Sequence, residues 1–148
     1  MIDIANSYGK IIFVDPKGND FKRYKNATII TPNRFELSGV IGKWDSEDDL
    51  HRRVEDLREE LSGIRILLTR SEEGMTLFEN DEVTNISAEV REVSDVTGAG
   101  DTVIATMAVM VACGLSFKEA MMHANRAGGL VIQKFGTATI SYDELFKV

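Results

Sequence analysis

The sequence predicts an α/β fold in which a largely parallel β-sheet is covered by helices. Short runs rich in β-branched residues alternate with longer segments of helical periodicity, and this alternation is typical of parallel sheets. Three loops of unusual composition, over residues 15–18, 31–36 and 69–74, each follow a predicted strand. Since ligands of such sheets bind beyond the carboxyl ends of the strands, these loops indicate a candidate site.

The first half of the chain contains three strand patterns and two helix patterns. The Asp-Pro-Lys-Gly turn ends the first strand, Pro32 ends the second, and Gly42 follows the first helix. The second helix is the clearest, because leucine and valine recur at spacings of four, three and four residues, and its other faces carry charges typical of a solvated surface. The predicted elements are strands over residues 10–15, 27–31 and 64–69 and helices over residues 33–41 and 45–61.

The second half adds short strands and closes with helices. A helix over residues 99–113 is apolar on nearly all faces, which predicts a buried helix with Cys113 as a small core residue. Ser116 and Glu119 form a capping box for the next helix, which runs to about Lys134. The remaining predictions are strands over residues 74–78, 83–86 and 89–93, with a turn at Asn80 and Asp81 in between, and a short helix over residues 142–146.

Composition restricts the class of protein. At 148 residues, with 43% apolar and 28% charged residues, the chain fits one globular domain. A net charge of −7 argues against a general partner of nucleic acids or anionic membranes. One cysteine fits a reducing compartment, and the apolar run over residues 103–113 is too short to span a bilayer, so a cytoplasmic protein is expected.

The segment with the most chemical content is Asp-Val-Thr-Gly-Ala-Gly-Asp over residues 95–101, a predicted strand-to-helix turn. Gly98 and Gly100 permit unusual backbone angles and leave room for a ligand. The free amides of the following helix favour a phosphoryl group, and Asp101 in its first turn is suited to accept a proton from an attacking hydroxyl. Taken alone, the same string could be a tight turn before a helix. It is not a P-loop, because no Lys-Ser or Lys-Thr follows the glycines.

This string resembles the second signature of the ribokinase (PfkB) family of carbohydrate kinases. The resemblance implies a three-layer sheet with helices on both faces, ATP and Mg²⁺ as cofactors, and phosphoryl transfer to a sugar hydroxyl. It makes Asp101 the catalytic base and assigns the transferring phosphoryl group to the amides of Gly98, Ala99 and Gly100.

Other segments resemble family motifs in the same order along the chain. Asn33 and Glu36 match a motif that places magnesium and the phosphates of ATP through ordered water, although Asn33 also suits a helix cap. The small residues near Asn125 and at Gly136 resemble the adenine-side wall but suit close helix packing equally. The loop matching the nucleotide-contacting segment contributes Thr69, Arg70, Ser71 and Gly74, with Ser71 where the family carries glycine.

Within the family, the strings over residues 14–18 and 69–75 favour the branch that phosphorylates heptose 7-phosphate. Lys17 is then a candidate contact for the sugar phosphate. The alternative, given equal weight, is that Lys17 is simply an exposed lysine in a turn. A kinase for another sugar or a nucleoside stays open.

The resemblance covers only the carboxyl-terminal half of the family's kinase domain, since the sugar-binding signature and the β-lid are absent. Residues 1–148 are therefore expected to form a single domain, the ATP-binding half. Weak or absent turnover by this chain alone is expected, because orientation of the acceptor is lost. The alternative function is a non-catalytic nucleotide-binding module, and a homodimer or a complementary amino-terminal chain would cover the surface where the missing strands belong.

Overall fold

The computed structural model describes residues 1–80, 82–89, 98–134 and 138–146. Its helices are α1 Ile2–Ser7, α2 Arg34–Ile41, α3 Glu47–Glu60, α4 Ala99–Ala112, α5 Phe117–Ile132 and α6 Tyr142–Phe146, with 3₁₀ turns at Phe21–Tyr24 and Ser71–Glu73. Its strands are β1 Phe13–Val14, β2 Ile29–Ile30, β3 Arg65–Thr69, β4 Met75–Glu79 and β5 Glu82–Ile86.

The five strands form one sheet in the order β1-β2-β3-β4-β5. β1 pairs with β2 and β2 pairs with β3, both in parallel, with Phe13 opposite Ile29 and Ile30 opposite Ile66. The connections from β3 to β4 and from β4 to β5 are too short for the crossover that parallel neighbours need, so these pairs are antiparallel. The predicted α/β sheet is therefore parallel in the part that carries the first two candidate loops.

The first two strands are shorter than predicted, for a reason that lies in their hydrogen bonds. Ile12 donates its backbone N–H to the hydroxyl of Thr28 at 2.9 Å, where a longer ladder would use a carbonyl. The carbonyl of Ile12 accepts from the backbone of both Thr28 and Ile29. The side chain of Thr28 thus replaces the ladder at this end, and regular pairing begins only at Phe13.

One compact unit comprises Met1–Thr69 and Thr76–Val83. Helix α3 lies against its core with the predicted leucine and valine stripe fully or almost fully buried, which confirms the spacing argument. Helix α2 adds Leu37, and the 3₁₀ turn after β1, which the sequence patterns did not indicate, adds Phe21. The buried apolar cluster consists of Phe21, Ile30, Leu37, Leu50, Val54, Leu57, Leu61, Ile64, Ile66, Leu68 and Phe78.

The second compact unit comprises Arg70–Met75 and Thr84–Val148. Helix α5 begins at the predicted capping box, in which both reciprocal bonds are present between Ser116 and Glu119. Its predicted inner face is buried. The short helix α6 has the predicted bounds and is held by an ion pair between Lys134 and Glu144 at 2.8 Å. That ion pair is the main reason why the pKa of Glu144 falls to about 2.

The burial predicted for α4 was wrong on one side of the helix. Met107 is fully buried, but Val109 is 56% exposed and Cys113 is exposed. Residues four apart lie on one face of a helix, so Ala105, Val109 and Cys113 share the exposed side. An apolar sequence therefore did not make every face of this helix part of the core.

Some predicted features lie outside the described residues, namely Asp81 of the turn and residues 90–93 of the last predicted strand. Across the ranges that the structure does describe, no helix combines the length and apolarity needed to cross a membrane.

Arg58 corrects the expectation that the charges of α3 are all solvated, because its side chain is only 5% exposed. Its guanidinium donates to the carbonyls of Ile64 and Asn80, both at 2.9 Å, and to the carboxylate of Glu55 at 2.7 Å. This one side chain thus ties α3 to the start of β3 and to the end of β4.

Replacing Arg58 by methionine should lower the free energy of unfolding by about 1–3 kcal/mol, because the buried bond to the Ile64 carbonyl and the partly buried bond to the Asn80 carbonyl are both lost. Arg52→Met on the same helix is the matched control, since Arg52 is 65% exposed and pairs only with surface carboxylates. Its loss should be below about 1 kcal/mol. Urea unfolding followed by circular dichroism measures both, and equal losses would contradict the role given to Arg58.

Candidate functional site

Four polar residues meet where β1 and β2 end, and we call them the strand-end cluster: Asp15, Lys17, Asn33 and Glu36. Because β1 and β2 run in parallel, the loops that leave them lie at the same edge of the sheet. Thr69, the last residue of β3, joins this edge through a parallel bridge to Asn33 and a backbone bond to Pro32 at 3.0 Å.

Asn33 and Glu36 fix the start of helix α2 through a reciprocal pair of hydrogen bonds. The Asn33 side chain accepts from the Glu36 backbone at 2.9 Å, and Glu36 Oε2 accepts from the Asn33 backbone at 2.9 Å. The prediction that Asn33 caps this helix is confirmed. Glu36 is held in place by its own helix, which leaves Oε1 to interact with other groups.

Lys17 lies between two carboxylates. Its ammonium is 2.9 Å from Asp15 Oδ2 and 2.9 Å from Glu36 Oε1. The hydrogen bond to Asp15, and next the bond to Glu36, hold the pKa of Lys17 above its ordinary value. Since the Lys17 side chain is 68% exposed and that of Glu36 is 14% exposed, the cluster presents its cation to solvent and keeps its helix-bound carboxylate inside.

The backbone of Lys17 is fixed by a tyrosine from the 3₁₀ turn. The Lys17 N–H donates to the Tyr24 hydroxyl at 3.0 Å, and that hydroxyl lies 3.3 Å from the Lys17 carbonyl. Sequence reasoning did not assign a role to Asp15 or Tyr24. The available signal was an aspartate directly after a strand and two residues before Lys17, a spacing that lets both reach the same edge of the sheet.

The donor set of the cluster fits a magnesium ion. Mg²⁺ prefers carboxylate oxygens, keeps several waters and is usually bound through one or two carboxylates. Asp15 and Glu36 supply two, and the Lys17 ammonium already stands between them as a positive charge. Among the described residues there is no group of three or more acidic, histidine or cysteine side chains that could form a full protein cage.

In the second unit, residues 70–74 form a tight turn. The Arg70 N–H donates to the Gly74 carbonyl at 2.8 Å. Ser71 has φ +55° and Gly74 has φ +93°, so both occupy a backbone region that favours glycine. The position where Ser71 replaces the family's glycine thus keeps the left-handed conformation. Arg70 is 10% exposed and its guanidinium lies 3.5 Å from Glu73.

Gly74 is also required by packing. A Cβ built at this position would lie 2.0 Å from the carbonyl oxygen of Ile86 and 2.6 Å from the amide nitrogen of Ala88. The turn therefore passes against the backbone that follows β5. This contact gives Gly74 a structural role whether or not a nucleotide binds there.

Asn125 has a structural partner as well. Its side-chain amide donates to the Ser87 carbonyl at 2.9 Å, and the residue is 7% exposed. The neighbouring Gly128 lies where a Cβ would come within 3.2 Å of Val103 on α4. The small residues of α5 thus allow close packing between two helices, which was the alternative to a role beside adenine.

Helix α4 starts at the predicted Ala99, and of the two glycines expected to permit unusual backbone angles Gly98 has one whereas Gly100 is helical. Gly98 is left-handed, with φ +79°, and its carbonyl accepts the first helical bond from Thr102 at 3.0 Å. Gly100 and Asp101 are exposed in the first turn, where backbone amides have no partner within the helix. Among the described residues, no side chain caps this helix, and no atom lies within 4 Å of a Cβ built at Gly100.

The structure thus gathers Lys17, Asn33, Glu36 and Thr69 at one edge of the first unit. In the second unit it describes the turn at residues 70–74, Asn125 with Ser87, and the start of α4. Residues 95–97 of the glycine-rich string and Gly136 lie outside the described residues.

Comparison with known proteins adds a family match over residues 1–144, to the pfkB family of carbohydrate kinases. The D-beta-D-heptose 7-phosphate kinase of Bordetella bronchiseptica is 50% identical over 145 residues, which cover 98% of this chain and 46% of the relative. The bifunctional protein HldE of Pasteurella multocida is 46% identical over 98% of this chain and 31% of its own length. The chain therefore spans less than half the length of these relatives.

Solved structures agree with the fold. Ribokinase from Arabidopsis thaliana, complexed with ribose and ATP, has a TM-score of 0.80 and 26% identity, covering 91% of this chain and 45% of that one. Phosphofructokinase-2 from Escherichia coli, in complex with potassium, has a TM-score of 0.86 and 21% identity, covering 99% of this chain and 48% of that one. These likenesses confirm the predicted ribokinase-like α/β fold.

Gly74→Ala should lower the free energy of unfolding by about 3 kcal/mol or more, because the new methyl group meets backbone atoms and the left-handed φ disfavours alanine. Gly63→Ala is the matched control, since Gly63 has φ +72° but no atom within 4 Å of its built Cβ. Its loss should stay near about 1–2 kcal/mol. Urea unfolding of both variants measures the difference, and equal losses would show that the contact with residues 86–88 is unimportant.

Proposed function

Since the chain belongs to the pfkB family of carbohydrate kinases, we propose that it supplies the nucleotide-binding and catalytic-base part of a sugar kinase. The reaction is transfer of the γ-phosphoryl group of ATP to a sugar hydroxyl. The acceptor is heptose 7-phosphate, and the transfer gives heptose 1,7-bisphosphate, a step that belongs to the synthesis of ADP-heptose for lipopolysaccharide.

The observation that carries this proposal is the open start of α4. Gly100 is helical, and nothing in the described fold lies within 4 Å of the site that a Cβ would occupy. Alanine at such a position would stabilise a helix by about 0.5–1 kcal/mol relative to glycine. A glycine that neither backbone angle nor packing requires is best explained by a ligand that approaches the backbone closely.

Asp101 and the amides beside it have different roles in the proposed reaction. Asp101 accepts the proton of the sugar hydroxyl as its oxygen attacks phosphorus, and the carboxylate is exposed in the first turn of α4. The amides of Gly98, Ala99 and Gly100 stabilise the negative charge on the transferring group through fixed dipoles.

In the strand-end cluster, Glu36 would hold magnesium through water, with Asp15 beside it. A metal bound there would supply positive charge that neutralises the phosphates of the nucleotide. Asn33 fixes the start of α2 and therefore the position of the Glu36 carboxylate.

The nucleotide is bound by the turn at Thr69, Arg70, Ser71 and Gly74 and by the wall at Asn125 and Gly136. The backbone of the turn offers polar groups, and Arg70 offers a positive charge that Glu73 already partly neutralises. The hydrogen bond from Asn125 to Ser87 orders the backbone after β5, so Asn125 acts on the wall by fixing its shape.

Heptose 7-phosphate is the proposed acceptor for two reasons. The relative from Bordetella bronchiseptica is named for this substrate and shares half of the aligned residues. Lys17 provides an exposed ammonium at the edge of the sheet where ligands of this fold class bind, and it is the group suited to a sugar phosphate.

A second candidate is a nucleotide-binding module that needs another polypeptide for turnover. Among the described strands β1 is one of the two outer strands, and Ile4, Tyr8 and Ile11 near it are each at least half exposed. Exposed strand edges with neighbouring apolar side chains are typical pairing surfaces. A complementary chain or a second copy would cover this surface.

Calorimetric titration with MgATP tests the role of the glycines. Gly100→Val should weaken nucleotide binding at least about tenfold, because its side chain fills the space proposed for a phosphate. Asp101→Asn should bind MgATP nearly as tightly as the wild type, since its role is proton transfer. Circular dichroism confirms that each variant is folded.

Wild-type affinity in Gly100→Val would refute the proposed phosphate contact. Absence of nucleotide binding by the folded wild type would contradict both candidates for the isolated chain and would show that the site needs residues of another polypeptide.

The purified chain should show weak or no phosphorylation of heptose 7-phosphate in a coupled ADP-release assay. Orientation of the acceptor accounts for a large part of catalysis, and less than half of the kinase relative is represented here. Robust turnover by the 148-residue chain would contradict this expectation.

A further inference from the structure

Lys17 and Glu36 are bonded to each other, although the proposed function uses them for different ligands. The Lys17 ammonium lies 2.9 Å from Glu36 Oε1. In the proposed reaction Glu36 serves the metal and Lys17 serves the phosphate of the acceptor. Each group therefore occupies the place proposed for the other's ligand.

We propose that Lys17 is an exchangeable counter-ion, which leaves Glu36 when the metal binds and then becomes available to the anionic acceptor. The inference rests on the proposed function and adds a coupling between its two ligands. The cation that leaves Glu36 and the cation that attracts the sugar phosphate are the same ammonium, so metal and acceptor assist each other's binding.

The two oxygens of Glu36 make this exchange compatible with the fold. Oε2 accepts the Asn33 N–H and completes the capping box, whereas Oε1 accepts from Lys17. A metal that takes the place of the ammonium at Oε1 leaves the bond of Oε2 intact. The start of α2 therefore stays fixed while the partner of Glu36 changes.

Lys17 is anchored at its backbone, and its side chain extends into solvent. Its N–H and carbonyl are both held by the Tyr24 hydroxyl, at 3.0 and 3.3 Å. The side chain is 68% exposed, and Asp15 is a second carboxylate within reach of the ammonium. When Glu36 takes the metal, the ammonium stays near Asp15 with one carboxylate fewer to neutralise it.

The coupling is reciprocal, because any ligand that raises the affinity for another is itself bound more tightly in return. The coupling cannot exceed the interaction energy of the exposed ion pair between Lys17 and Glu36. We expect about a two- to fivefold effect in either direction.

Binding of Mn²⁺, measured by the loss of the electron paramagnetic resonance signal of the free ion, tests this coupling. Sedoheptulose 7-phosphate serves as the anionic probe in place of the acceptor, with blank titrations for its own complex with Mn²⁺. In the wild type it should tighten Mn²⁺ binding two- to fivefold. Lys17→Met should bind Mn²⁺ two- to fivefold more tightly than the wild type without the sugar phosphate, and should gain nothing when it is added.

The matched control is Lys22→Met. Lys22 is also an exposed lysine in an ion pair, with Glu60 at 2.6 Å, and its replacement changes the net charge equally. Lys22→Met should bind Mn²⁺ with wild-type affinity, and the sugar phosphate should tighten its Mn²⁺ binding as it does in the wild type. Equal tightening in both lysine variants, or weaker Mn²⁺ binding in Lys17→Met, would overturn the proposal.

Two further outcomes separate this inference from the function on which it rests. If Mn²⁺ and sedoheptulose 7-phosphate both bind the wild type but without influence on each other, the exchange is refuted and the proposed sites stand. If Glu36→Gln binds Mn²⁺ as tightly as the wild type, or the wild type does not bind it, the metal role of Glu36 fails and the exchange fails with it.

Discussion

Parallel pairing of β1 with β2 and of β2 with β3 is the constraint from which the strand-end cluster follows. Parallel strands end at one edge, so loops that are distant in sequence leave the sheet side by side. The bridge between Asn33 and Thr69 extends this edge to the third strand. Without that pairing, Lys17 and Glu36 would be two unrelated surface residues. The sheet thus converts separate turn sequences into one polar cluster.

In this cluster the carboxylate of Glu36 both stabilises helix α2 and is the proposed metal ligand. Glu36 closes the capping box of α2 with one oxygen and receives the Lys17 ammonium with the other. A helix cap is a local requirement, typically worth about 1 kcal/mol. The cap also limits the positions that Glu36 Oε1 can take. A metal ligand has to be restricted in this way. Substitution of Asn33 would therefore disturb the Glu36 carboxylate, because Asn33 caps the start of the helix that carries it.

Local signals in the sequence were sufficient for some features and insufficient for others. The capping box of Ser116 with Glu119, the helix cap at Asn33 and the bounds of α6 depend on residues within four positions of each other, and they were predicted correctly. The late start of the pairing between β1 and β2 depends on the side chain of Thr28, and the burial of Arg58 depends on the distant Asn80 carbonyl. The role of Asp15 depends on a lysine that Glu36 shares. Such features require knowledge of which strands are neighbours.

The glycines of the candidate site illustrate how folding and function can be separated. Gly74 is required by packing, since a methyl group there would overlap the backbone at Ile86, and Gly98 is left-handed at the start of α4. Neither therefore gives independent evidence of a ligand. Gly100 is helical and open among the described residues, and its backbone would tolerate a larger side chain. Because none of the described residues requires glycine at this position, Gly100 carries more functional information than Gly74 and Gly98.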